Sequence, residues 1–246
     1  MIAPAHASEH EHKYALAPER ADAFLAAVAA HLTSKIYDDA RPIAYARTTY
    51  LDTEDLTYLG SSGTPLARRL RVREYAAAAN GDAPGVLTGV CFLELKESGG
   101  GRRRKVRLSA PPHVVADMIA HRGVLALHPA ILASSPFDAL ARELAAHAVA
   151  PRLTVWYRRR SLASAADRVR ITLDTGVTFC QPAPVGARER ADERTEIVGH
   201  GPDAILEIKH SGTLPPWLAD AMAQFGAPER FSKYELGMSA LQRRAA

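Results

Sequence analysis

An α+β fold with a largely antiparallel sheet is what three features of the 246-residue sequence predict. Strand-like runs dominate and follow one another without the strand–helix–strand alternation of a parallel sheet. Most of these runs put apolar side chains on one face and ionisable ones on the other. The helical runs are rich in Ala and Leu, a composition suited to lying on an apolar sheet face.

The elements follow in order. In SEHEHKYAL, residues 8–16, Glu9, Glu11 and Lys13 share one face of a strand while His10 and His12 take the other. Residues 18–34 are expected to be a helix with Pro18 in its first turn. Strands are expected over 45–52 and 70–75, then an Ala/Gly/Pro-rich linker over 76–89. Residues 90–97 and 102–108 flank Ser98-Gly99-Gly100-Gly101, a hairpin turn. Helices over 111–123 and 135–149 lead to strands over 152–160, 168–175, 193–198 and 204–210. Helices over 215–225 and 232–244 close the chain. No repeat and no domain boundary is visible, so residues 1–246 are expected to form one domain.

Composition excludes several classes. The net charge of +4 is too small to indicate a nucleic-acid partner by itself. Cys91 and Cys180 are too few for a disulfide scaffold or a thiolate metal site, which suits a reduced, cytoplasmic setting. No basic region followed by an apolar run marks a secretory signal, and no apolar run is long enough to span a bilayer.

The charged faces carry the functional information. Leu70 and Val72 oppose Arg71 and Arg73; Leu93 and Leu95 oppose Glu94 and Lys96; Val106 and Leu108 oppose Lys105 and Arg107. Val169, Ile171 and Leu173 oppose Arg168, Arg170, Thr172 and Asp174, and Leu206 and Ile208 oppose Glu207 and Lys209. An open sheet would leave these faces in water, whereas a closed barrel would turn them into a wet lumen and let helices cover its apolar outside. The placement of lysine favours the lumen: five of the six lysines (Lys13, Lys96, Lys105, Lys209 and Lys233) lie in the recurring charged motifs. Arginine forks and lysine point charges match phosphate oxygens. Carboxylates among them suit a divalent cation that bridges phosphates. Condensed phosphate, or the triphosphate of a nucleotide, is the ligand class this chemistry fits.

Glu9-x-Glu11-x-Lys13 resembles the ExExK signature of the triphosphate tunnel metalloenzymes, the CYTH superfamily. RLRVREY (69–75), FLELKE (92–97), WYRRRSL (156–162), DRVRITLDT (167–175), ILEIKH (205–210) and RFSKYELG (230–237) resemble, in order, the catalytic domain of the VTC-type polyphosphate polymerases. The resemblance implies a closed eight-stranded antiparallel β-barrel with helices packed outside, binding ATP and inorganic polyphosphate with Mn²⁺ or Mg²⁺. It implies that Arg71, Arg73, Lys96 and Arg159 act on the phosphates in catalysis. Lys13, Lys105, Arg107, Arg170, Lys209 and Lys233 would complete the phosphate-binding set. Glu207 would be the metal ligand, assisted by Glu11, Glu9 and Glu94. In Tyr157-Arg158-Arg159-Arg160 the family's spacing selects Arg159, while strict alternation equally allows Arg158. The likeness is to the stand-alone form of the domain, without the regulatory domain or membrane segment of the large eukaryotic members. A membrane protein would then be the partner for product export. The activity implied is transfer of the γ-phosphoryl of ATP to a growing chain, releasing ADP. The alternatives are a triphosphatase using the same tunnel and a non-catalytic polyphosphate or nucleotide sensor.

Other motifs have plainer expectations. His6, His10 and His12 are expected at the surface rather than on a metal. Asp52, Asp55 and Asp174 are expected as turn and cap residues. Tyr75 and Tyr234 are expected as packing residues whose hydroxyls find polar partners. Arg102 to Lys105 is expected to edge a basic tunnel mouth rather than to bind RNA.

Overall fold

The computed structural model describes residues 9–37, 43–64, 66–77, 86–99, 102–123, 135–183, 185 and 196–245. The glycine turn at 100–101, most of the 76–89 linker, residues 193–195 and His6 lie outside them. Contacts divide the chain into two compact units, one of Met1–Ala44, Tyr157–Val177 and His200–Ser232, the other of Tyr45–Trp156, Thr178–Gly199 and Lys233–Ala246.

The strands are β1 (Glu9–Leu16), β2 (Thr33–Ser34), β3 (Ile43–Asp52), β4 (Leu66–Ala77), β5 (Val86–Gly99), β6 (Arg102–Ala110), β7 (Ala150–Ser164), β8 (Val169–Cys180), β9 (Ile197–His200) and β10 (Ala204–Ser211). The helices are α1 (Pro18–Val28), α2 (Thr57–Gly60), α3 (Pro112–Ala120), α4 (Ser135–Ala146), α5 (Pro216–Met222) and α6 (Lys233–Ala245). Short 3-10 turns follow α1 and α5. The sequence-based expectations locate all the longer elements. They miss α2 and β2, and they run α1 too far: beyond Val28 the chain makes a 3-10 turn and then pairs Thr33 and Ser34 with Ala163 and Leu162. An Ala/Leu-rich run followed by β-branched Thr33 has no local signal for where pairing overrides propensity.

The hydrogen-bonded strand order is β1-β10-β8-β7-β3-β4-β5-β6, with β2 on β7 and β9 on β8. The antiparallel sheet with packed helices is as expected; among the described residues its path is open, with end strands β1 and β6 not neighbours in it, and does not reproduce the expected closure. Residue alternation decides which side of a sheet is charged. Closure depends on strand tilt and stagger, which alternation does not encode.

In the first unit, Tyr14, Leu16, Val169, Ile171, Leu173, Leu206 and Ile208 form the apolar face, covered by Ala21, Phe24, Leu25 and Val28 of α1 and Leu218 and Ala221 of α5. In the second, Leu70, Val72, Leu93, Leu95, Val106 and Leu108 pack under Val115, Met118, Leu140 and Leu144 of α3 and α4. Each wholly buried Leu or Val here stabilises the fold by about 1.5–3 kcal/mol. Helices therefore occupy the apolar faces, and the ionisable side chains are left to the opposite ones.

Candidate active site

Within the second unit, antiparallel register lines up three rows across β4, β5 and β6: Arg69–Lys96–Lys105, Arg71–Glu94–Arg107 and Arg73–Phe92–Ser109. Glu94 is fully buried and sits among cations. Its Oε2 accepts from Arg71 Nε at 2.8 Å and lies 2.7 Å from the second guanidinium nitrogen. Its Oε1 accepts from Arg107 Nε at 2.6 Å and is 2.7 Å from Lys105 Nζ. Burial opposes the charge of Glu94, but Arg71, Arg73 and Lys105 overcome it and hold the carboxyl far below the usual range. Burial also lowers Lys105, and the same carboxylate works against that shift.

The remaining cations of this face are braced individually. Arg107 lies over the Phe92 ring at 4.5 Å, and Phe92 meets Tyr75 edge-on. Arg73 Nε points at Thr48 Oγ1, 3.4 Å away. Arg69 reaches Glu235 at 3.5 Å. Arg71 and Arg73 are each only 7% exposed, so this is not an ordinary solvated face. Alternation also resolves the basic run after the hairpin: Lys105 and Arg107 share the face of Glu94, whereas Arg104 turns away to Glu97. Lys233, half-buried, opens α6, where Tyr234 donates its hydroxyl to Asp52 at 2.7 Å. Asp52 also accepts from the backbone N–H groups of Thr53, Tyr58 and Leu59, the capping role expected for it.

The first unit builds a different face. Its rows are Glu11–Lys209–Arg170, Lys13–Glu207–Thr172 and Ala15–Ile205–Asp174 across β1, β10 and β8. Glu11 bridges two lysines, with Oε1 2.7 Å from Lys13 and Oε2 3.1 Å from Lys209. Lys209 also lies 3.3 Å from Glu207 Oε1. Burial raises the Glu11 carboxyl, but Lys13 and Lys209 pull it well below the usual range. Glu207 is opposed first by burial and then by repulsion from Glu11; Lys209, Lys13 and Arg159 reverse both and leave it lowered. Arg159 grips Asp174 in two bonds of 2.6 Å each, from Nε and from a terminal nitrogen. Arg159 therefore belongs to the charged cluster that includes Glu207. Asp174 is correspondingly a buried strand residue of β8, not the turn or cap residue expected.

Sequence reasoning leaves Asp174 and Thr172 out of the site, although both share the parity of Arg170. It also passes over Arg69, despite the parity that residue shares with Arg71 and Arg73. Among the described residues, no three or more His, Cys, Asp or Glu side chains form a ready metal cage. The carboxylates differ in their fitness for a divalent ion. Glu94 and Glu11 each have both oxygens on cations, three cations around Glu94 and two lysines around Glu11, whereas Glu207 meets Lys209 through Oε1 at 3.3 Å. Glu207 and Glu11 repel each other and supply hard oxygen donors, and Glu207 pairs across the strands with Thr172, whose buried hydroxyl has no hydrogen-bond partner. That oxygen set fits Mg²⁺ or Mn²⁺. The Glu9 side chain lies outside the description.

Two faces thus emerge with distinct chemistry, one a field of arginine and lysine running from buried Arg71 and Arg73 to exposed Lys105 and Arg107, the other a mixture of carboxylates and lysines. Both donor sets are of the kind that suits phosphate oxygens and the cations that accompany them. The chain belongs to the VTC domain family, whose model matches residues 8–242. No curated protein matches. Among the solved structures that resemble the chain are two of similar length. One, described as a candidate adenylate cyclase from Vibrio parahaemolyticus, has 15% identity over 95% of this chain and 98% of its own, with a TM-score of 0.48. The other, also described as a candidate adenylate cyclase, comes from Bacillus halodurans, with 13% identity over 92% and 95% and a TM-score of 0.49. At these scores neither adds to what the family match establishes. Family membership indicates a phosphotransferase or triphosphatase type of enzyme, generally dependent on a divalent metal. No described helix is long and apolar enough to cross a membrane.

Proposed function

We propose that the protein is a polyphosphate polymerase that transfers the γ-phosphoryl of ATP to the end of a phosphate chain. The observation that supports this most is the β4–β5–β6 face, where Arg69, Arg71, Arg73, Lys96, Lys105 and Arg107 share one side of the strands with a single strand carboxylate, Glu94, and three of them contact it. So large an excess of positive charge, with Arg71 and Arg73 buried, is costly without an anion to bind. A polyanion with an oxygen every few ångströms is the ligand that matches it.

In the proposed reaction a terminal oxygen of the acceptor chain attacks the γ-phosphorus, the bond to the bridging β–γ oxygen breaks, and ADP leaves with that oxygen. Such transfer depends on positioning and electrostatic stabilisation rather than on a nucleophilic side chain. Arg71, Arg73, Lys96 and Arg159 neutralise charge as it shifts toward the leaving group. Lys13, Lys105, Arg107, Arg170, Lys209 and Lys233 hold the remaining phosphates. Glu207 and Glu11 would hold the divalent cation, which when bound neutralises phosphate oxygens. A cytoplasmic setting and hand-over of product to a membrane protein are part of the same reading.

Incubation with ATP and Mg²⁺ or Mn²⁺ tests the proposal. Phosphate chains with an equivalent of ADP per transfer are expected. Release of free phosphate or pyrophosphate instead would identify a triphosphatase, and binding without turnover a sensor. Glu207→Gln is expected to abolish turnover while retaining polyphosphate binding, because it removes a charge that a hard cation needs and leaves every basic residue in place. Normal turnover in that variant would overturn the metal assignment.

A further inference from the structure

On the face of β1 and β10 opposite Glu11 and Lys13, three histidines meet at the rim of the first unit's apolar cluster. His10 stacks on His210, with ring centroids 4.9 Å apart, and the His12 ring stacks on it at 5.5 Å. His12 Nε2 and His210 Nε2 are 3.4 Å apart. His210 is 6% exposed, His12 half-buried and His10 exposed, so the group opens to solvent on one side. The partner that completes it, His210, comes from nearly two hundred residues away in sequence, which is why the N-terminal histidines alone suggest only a surface.

The tautomer of His210 is fixed by its other nitrogen. Nδ1 faces the carbonyl oxygen of Gly212 at 3.2 Å, and a carbonyl can only accept, so Nδ1 carries the hydrogen. Nε2 is then an acceptor, facing the His12 Nε2–H donor at 3.4 Å, and a metal ion would take the place of that proton between the two ring nitrogens. A ring N–H held by a backbone carbonyl, with the opposite nitrogen free, is how protein histidines are oriented to ligate metals. Two imidazole nitrogens on a tetrahedral ion with bonds of about 2.0–2.1 Å stand about 3.3–3.4 Å apart. The observed separation meets that requirement.

We propose that His12 and His210 form a site for a divalent transition metal of the zinc class, with His10 at its open side and water completing the coordination. The site is separate in chemistry from the carboxylates of the opposite face: imidazole selects zinc, nickel, cobalt and copper, whereas carboxylate and hydroxyl oxygens select magnesium and manganese. Ligation here would join β1 to β10 by a second set of bonds and so pin the strand that carries Glu11 and Lys13.

Titration of untagged protein with Zn²⁺, and with Co²⁺ followed by its visible absorption, provides the test. One saturable equivalent is expected, with Co²⁺ bands of a nitrogen-ligated, low-symmetry site. Affinity should fall at least tenfold in His12→Gln and in His210→Gln, and a rise in melting temperature on adding Zn²⁺ should vanish in both. His12 is only half-buried, so His12→Gln keeps the test valid should His210→Gln fold poorly. Absence of saturable binding in the unaltered protein would overturn the proposal. So would undiminished affinity in His12→Gln, or loss of Zn²⁺ binding in Glu207→Gln instead. None of these readouts involves ATP, so the outcome is independent of the polymerase reading.

Discussion

Glu94 shows how much one side chain can organise. Three cations converge on two oxygens that have no access to water. Replacing it by Gln keeps the shape but leaves Arg71, Arg107 and Lys105 facing one another without a counter-charge. Breaking a buried ion network on one side costs about 3–5 kcal/mol, and denaturant unfolding of Glu94→Gln at neutral pH is expected to show a loss of that order. The pH dependence follows from the same contacts. The folded carboxyl titrates far below the usual carboxylate range, so in acid the unfolded chain binds the proton first. Its contribution is complete above about pH 5 and is lost as the pH falls through the unfolded value toward the depressed folded one. Stability of the unaltered protein should therefore fall between about pH 5 and pH 3, and the fall should be shallower in Glu94→Gln; parallel curves would refute the network. The sequence shows that Glu94 shares a face with Lys96 and that neighbouring strands are basic. It does not show that Arg71 and Arg107 are its direct cross-strand partners, because register between strands is a non-local property. For that reason Glu94 looks equivalent to Glu207 in the sequence, although Glu94 has both oxygens on cations and Glu207 is the residue proposed to hold the metal.

The elements that carry these residues are placed by contacts of the same non-local kind. RFSKYELG ends at Gly237, and the physical reason for a glycine mid-helix lies where α6 packs on β7 and β8. A Cβ there would overlap Leu153 Cδ2 and come within 2.8 Å of Phe179 Cδ1. Leu153 and Phe179 are 0% and 1% exposed and have no room to retreat. Gly237→Ala gains about 1 kcal/mol of helix propensity, but overpacking a tight core costs about 1–3 kcal/mol. Here both approached side chains are immobilised, so the cost is expected to win and the melting temperature to fall. An unchanged or raised melting temperature would show that α6 shifts freely. The motif thus combines packing (Gly237), anchoring (Tyr234 on Asp52) and charge (Lys233) within five residues. The helix type of this segment is legible from its periodicity. The reason for each residue is not, since Leu153, Phe179 and Asp52 are distant in sequence. The end of α1 has the same origin: the pairing of Thr33 with Ala163 on β7 decides it, and no property of residues 18–34 encodes it.

Across the whole molecule the net charge of +4 understates the local field. On the β4–β5–β6 face six strand cations share a side with one strand carboxylate, so much of the acidic charge is carried elsewhere, including the exposed helix residues Glu19, Asp22, Asp117 and Asp220. Alternation along the strands makes this segregation legible in the sequence, whereas the strand order, with its open path, depends on pairings that no single strand encodes. A field concentrated in one place gives a sharper expectation than net charge would. Polyphosphate affinity should weaken between low and physiological ionic strength, because ions screen the long-range attraction and compete for the exposed cations. The weakening should be incomplete, since Arg71 and Arg73 are only 7% exposed and contacts at such depth are screened less. Arg71→Ala removes a recessed contact and is expected to lower affinity at every salt concentration, and turnover with it. Arg20→Ala removes an equal formal charge from the exposed surface of α1, where the guanidinium donates to the Gln224 carbonyl oxygen, and is expected to change neither. Calorimetric titration of a short polyphosphate against both variants at two salt concentrations distinguishes a local field from a diffuse one. If Arg20→Ala weakened binding as much as Arg71→Ala, net charge would be the attracting property, and the recessed face would lose its claim to be the phosphate site.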